Sequence, residues 1–150
     1  MHTDRLRGLR IQVMVILVLL ILQFELGMAA NLNGPPELAP FSYSNAKFSD
    51  ALNQAGIVES IHAGLGTLLP FGALVILIRS LRSRVRSVQI VGTLAFVTVF
   101  LAATTGVLFV LSGFQNDNFS HGMATNFILS VVFYFIELYF MKPAPKTQPS

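Results

Sequence analysis

A chain of 150 residues that is 53% hydrophobic and only 11% charged, with mean hydropathy +0.67, lacks the polar surface a water-soluble domain needs. Its net charge of +3 does not mark a nucleic-acid binder, because the basic residues sit beside apolar runs instead of on one polar face. The absence of cysteine excludes disulfides, thiolate ligands, iron–sulfur clusters and covalent c-type heme attachment.

Crossing a bilayer core takes about 20 apolar residues. Four such runs occur in chain order, at residues 9–30, 59–78, 88–113 and 120–141. The expected fold is an all-α integral membrane four-helix bundle, one transmembrane domain over residues 1–150. The first run also fits a secretory leader: Arg5 to Arg10 form a basic region, Ile11 to Leu22 an apolar one, and Gly27-Met28-Ala29-Ala30 a small-residue site. It is read here as a span.

Residues 31–58 form the largest hydrophilic piece, an expected outer loop. Asn33-Gly34-Pro35-Pro36 and Pro40 break its first part, while residues 45–54 suit one or two helical turns capped by Ser44 or Asn45. The loop is expected to lie over the outer mouth of the bundle. Pro70 predicts a kink in the second span.

Charge sets the expected orientation. Arg5, Arg7 and Arg10 precede the first span, Arg79, Arg82, Arg84 and Arg86 lie between the second and third, and Lys142 and Lys146 follow the fourth, leaving Lys47 for the other side. The positive-inside rule then places both termini in the cytoplasm and the 31–58 loop outside the cell membrane.

A faint internal repeat runs through this plan. Each helical hairpin has an outward helix with glycine near its end, at Gly27 and at Gly106 and Gly113, and an inward helix that opens His62-Ala63-Gly64 or His121-Gly122-Met123. Two pseudo-repeated hairpins related by a two-fold axis would bring His62 and His121 face to face. Gly64, Gly66, Ala102, Ala103, Gly106, Gly122 and Ala124 suit close helix packing or room for a flat macrocycle.

Few polar groups lie within the spans, and each is costly there unless paired or used. A matched pair of imidazoles at one depth points to a shared ligand, a b-type or related heme iron bound by His62 and His121. The alternative is two interfacial histidines wetted by headgroup water. Glu59 shares a helix face with His62 and is a candidate catalytic or orienting group, or simply a negative charge at a helix N-terminus. Glu25 is a candidate second-layer partner for a histidine. Glu137 is expected to pair with Lys142 or Arg79. Thr104, Thr105, Ser112, Thr125, Asn126 and Ser130 are expected to bond their own helix backbones. Phe127, Phe133, Tyr134, Phe135, Tyr139 and Phe140 are expected in the core and the interfacial belt.

The element Glu59-Ser60-Ile61-His62 resembles the Glu-x-x-His-Arg element of heme A synthases, with Ala63 at the arginine position. The run Gly106-Val107-Leu108-Phe109-Val110-Leu111-Ser112-Gly113, a short turn and then His121 are similar to that family's third helix, loop and fourth-helix histidine. The resemblance covers most of residues 9 to 141. It implies one four-helix half of a protein usually built from two, a homodimer to supply two sites, heme on His62 and His121, and a functional Glu59. Family members oxidise a methyl group of heme O, so the resemblance implies a possible oxidoreductase.

Two functions therefore stand open. One is a membrane heme protein transferring electrons or processing heme near the outer leaflet. The other is a heme-free accessory subunit of a larger membrane complex, offering its apolar faces to partner helices and membrane lipid.

Overall fold

The computed structural model describes residues 2–33 and 48–141. Among them all regular structure is helical: α1 (His2–Asn33), α2 (Phe48–Ala55), α3 (Ile57–Leu81), α4 (Arg86–Leu111) and α5 (Asp117–Phe140). Four stretches are long and apolar enough to cross a membrane, Leu6–Leu32, Ile57–Leu81, Arg86–Leu111 and Asp117–Phe140. These make the chain an all-α, multi-pass membrane protein. The suggested caps Ser44 and Asn45, the first part of the 31–58 loop, and Glu37, Lys47, Lys142 and Lys146 lie outside the described residues.

The four long helices carry apolar side chains all round, and large ones point outward: Val18 is 56% exposed, Phe71 68% and Phe135 57%. In water such faces would drive aggregation; against lipid tails they cost nothing. α1 packs on α3 and α5, and α4 packs on α3 and α5, so the bundle runs α1–α3–α4–α5 around a ring. The short α2 lies against α3 and α4.

Helix ends follow local chemistry more than hydropathy. α4 stops at Leu111, short of the apolar run to residue 113, because Gly113 enters the left-handed region at φ 71°. The Phe114 amide then donates to Phe109 O at 3.0 Å and the Gly113 amide to Val110 O at 3.0 Å, which closes a Schellman turn. Phe109 and Phe114 meet edge to face at 5.6 Å, the apolar contact that accompanies this motif, and it offsets the unusual φ of 61° at Phe114. Asn116 caps α5 by accepting from the Asn118 amide. From the first turns of α4, Gln89 Nε2 donates to Leu81 O, the last carbonyl of α3, and to Ser83 O in the turn between the two helices. Pro70 is accommodated inside α3, which runs on to Leu81.

Packing is uneven along the bundle. Leu9, Val13, Ala73, Ile76, Val88 and Tyr134 are buried in one half, where α1 and α4 begin and α3 and α5 end. This half carries Arg7, Arg10 and the arginines of the α3–α4 turn, and is termed the arginine end. In the other half, the histidine end, no residue in 24–32, 57–72, 100–109 or 117–129 is buried. Among the described residues the arginine end is the more closely packed, and burial at the histidine end is confined to Gln23, Ala55, Val110 and Gly113.

Candidate functional site

His62 lies roughly 8 Å along α3 from its start and His121 roughly 6 Å along α5 from its start, at 1.5 Å per residue. Both belong to the histidine end.

The His62 ring rests on α1. A Cβ at Gly27 would lie 2.8 Å from His62 Cε1, so the missing side chain is what admits the imidazole. One turn earlier on α1, Gln23 Nε2 donates to the His62 backbone carbonyl at 2.8 Å. The same amide fills the notch at Gly66, where a Cβ would lie 2.9 Å from Gln23 Nε2. Residues four apart on a helix share a face. Gln23 and Gly27 therefore meet Gly66 and His62 in a reciprocal contact, each large polar side chain opposite a glycine.

This contact leaves two buried polar atoms, His62 Nδ1 and Gln23 Oε1, without a hydrogen-bond partner. Buried polar atoms are almost always paired, so a buried imidazole nitrogen and amide oxygen left open at one contact mark unused binding capacity.

His121 differs. It is exposed and forms no hydrogen bond or ion pair among the described residues. The notch at Gly27 receives the His62 ring, which packs on α1 within its own hairpin. At the same level of the other hairpin, Gly106 lies against the Met123 sulfur and Gly122 against the Thr105 methyl, which pack α4 on α5.

Among the described residues no carboxylate is hydrogen-bonded to a histidine, although the charge of Glu59 is near enough to act on His62. Glu59 is half-buried and turns back over Gly56, where a Cβ would lie 2.8 Å from Oε2, and no hydrogen bond joins it to His62. Glu25 is exposed. It stands two residues beyond Gln23 and two short of Gly27, and among the described residues no hydrogen bond joins it to either histidine. Gln23 reaches His62 only at its backbone carbonyl. Among the described residues no three His, Asp or Glu side chains gather to hold a metal ion. An axially ligated heme needs only one or two imidazoles; of the two candidates, His62 is half-buried with Nδ1 unpartnered and His121 is exposed.

The neighbouring hydroxyls are occupied locally. Thr104 donates to Phe100 O, Thr105 to Leu101 O and Ser130 to Phe127 O, and the Asn126 amide donates to Gly122 O. Phe24 and Phe127 stack at 5.8 Å and tie α1 to α5.

A second polar cluster lies at the arginine end. Glu137 is fully buried, and its Oε1 is bonded to Ser80 Oγ at 2.5 Å, from α5 to α3 across the bundle. Of the two cations expected to pair with Glu137, Arg79 is exposed and Lys142 lies outside the described residues. Gly92 of α4 makes the crossing possible: a Cβ there would lie 2.7 Å from Ser80 Cβ and 2.9 Å from Glu137 Oε1. Sequence reasoning singled out neither Ser80 nor Gly92, and the only signal for Glu137 was a carboxyl within an apolar turn.

The chain matches no protein-family model, no curated protein and no solved structure.

Proposed function

We propose that this chain is a multi-pass heme protein of the cell membrane, with both termini cytoplasmic and the histidine end at the outer leaflet. His62 is the principal axial ligand and His121 the second. The observation that carries the proposal is the half-buried His62, its Nδ1 without a partner among the described residues, on a stretch of α3, residues 57–72, that has no buried residue. A bound heme would supply one-electron redox chemistry, and this chain's part is to hold and orient it. Gln23 and Gly27 set the position of His62. The similarity to heme A synthases at Glu59 to His62 and Gly106 to His121 supports the same assignment, with Glu59 near the ligand and a homodimer providing two sites.

The arginines flanking the closed end support the orientation, since Arg7, Arg10, Arg79, Arg82, Arg84 and Arg86 all belong to that end.

A second reading is favoured by the exposure of His121: a heme-free accessory subunit in which His62 is an interhelical packing residue and the outward apolar faces meet partner helices. Visible spectra of the purified protein, oxidised and dithionite-reduced, before and after addition of hemin, separate the two. Low-spin bands that are lost in both His62→Ala and His121→Ala support heme ligation. A folded protein that stays colourless after hemin addition overturns it in favour of the accessory role.

A further inference from the structure

The cluster at the arginine end takes no part in the histidine site and is built on a different principle. Ser80 Oγ lies 2.9 Å from Ile76 O and 2.5 Å from Glu137 Oε1. A serine hydroxyl has one hydrogen, while a carbonyl oxygen and a carboxylate oxygen are acceptors only. With Glu137 ionised, that one hydrogen serves two acceptors, and one of the two contacts sets lone pairs against each other. A proton on Glu137 removes the conflict: Oε1–H donates to Ser80 Oγ, and the Ser80 hydrogen goes to Ile76 O.

The surroundings point the same way. Glu137, Ser80 and Tyr134 are all 0% exposed. A carboxylate sealed there needs a counter-charge. The described charged side chains at this end, Arg7, Arg10, Arg79, Arg82, Arg84 and Arg86, are exposed, and Glu137 Oε2 has no hydrogen-bond partner among the described residues. The groups described around Glu137 are Ser80 from α3, the Gly92 backbone from α4 and, one turn back on α5, Tyr134, the one other titratable group and itself unpartnered at its hydroxyl. None of them supplies a positive charge.

We propose that Glu137 and Ser80, sealed by Gly92 and Tyr134, form a proton-binding site in which Glu137 is a neutral carboxylic acid and the closed arginine end is the proton-bound state. Ionising Glu137 leaves a buried charge that no described side chain neutralises and forces the single Ser80 hydrogen to serve two acceptors, so the closed end loses stability as pH rises. The site thus couples uptake of a proton to closure of α3, α4 and α5.

Infrared spectra of the whole protein in detergent test this at a pH where exposed carboxyls are ionised. The wild type is expected to show the carbonyl stretch of a protonated carboxylic acid, absent in Glu137→Gln and shifted in Ser80→Ala. Thermal stability should fall in alkaline solution for the wild type and stay flat for Glu137→Gln, whose amide keeps a donor to Ser80. A wild-type spectrum without that stretch overturns the proposal, whether or not the variants fold. So does a stretch that persists unchanged in Glu137→Gln.

Discussion

The Gln23 side-chain amide reaches across from α1 to the backbone carbonyl of His62 on α3, at 2.8 Å. That carbonyl lies within a helix, so Gln23 adds a bond between helices without replacing one inside α3. Because the His62 ring sits on Gly27 in the same contact, the seam between α1 and α3 sets the position of the candidate ligand. Functional substitutions at His62 are therefore best judged beside substitutions that alter the seam alone.

Gln23→Leu removes the bond while keeping the bulk. Interhelical hydrogen bonds in membranes average about 0.6 kcal/mol and reach about 1.7 kcal/mol. A loss of roughly 1 kcal/mol is expected, read from unfolding in mixed micelles, with the protein still helical. A change beyond about 3 kcal/mol would mean that Gln23 has a larger task than this bond, such as holding a group on its open Oε1.

Gly27→Ala places a methyl group where the His62 imidazole lies, 2.8 Å from Cε1. The ring is the free end of a rotatable side chain and can swing aside, so the effect is expected on the ring more than on the fold. Magnetic resonance of the His62 imidazole should show a displaced signal at nearly unchanged stability. Gly64→Ala is the matched control, since nothing lies within 4 Å of the added carbon. It should leave the ring signal in place and stabilise α3 by up to about 1 kcal/mol through helix propensity.

Gly92→Ala meets a harder obstacle, with Ser80 Cβ at 2.7 Å and Glu137 Oε1 at 2.9 Å from the added carbon, both on neighbouring helices. Overpacking of this kind costs about 1–3 kcal/mol, to which loss of the Ser80–Glu137 bond adds. A clear drop in midpoint temperature is expected. An unchanged midpoint would show that α4 does not pack tightly against this cluster.

Asn116→Ala deletes the side-chain cap of α5, which accepts from the Asn118 amide at 3.1 Å. Removal of such caps costs about 0.5–2 kcal/mol. Amide hydrogen exchange should accelerate in the first turn of α5 and leave the turn after α4 protected, because the Schellman bonds at Gly113 and Phe114 do not depend on Asn116.

What the sequence by itself determined is the set of elements. Runs of apolar residues long enough for a bilayer place four helices, since a backbone in lipid must satisfy its own hydrogen bonds. Local chemistry was readable in part: a stretch after residue 45 suited a short helix, and the hydroxyls Thr104, Thr105 and Ser130 bond the preceding turn, a contact within reach of one helix alone. Which face of each helix turns inward was not readable. A soluble helix announces its buried side by an apolar stripe, but these helices are apolar on every side, and the periodic signal is absent. Hence Glu25 stood out in the sequence and proves exposed, while Gln23, two residues earlier, makes the contact with His62. Hence also Glu137 finds Ser80, 57 residues away. Only the tertiary structure decided these pairings, because close approach at Gly27, Gly66 and Gly92, which selects partners by the space a missing side chain leaves, depends on how the helices cross.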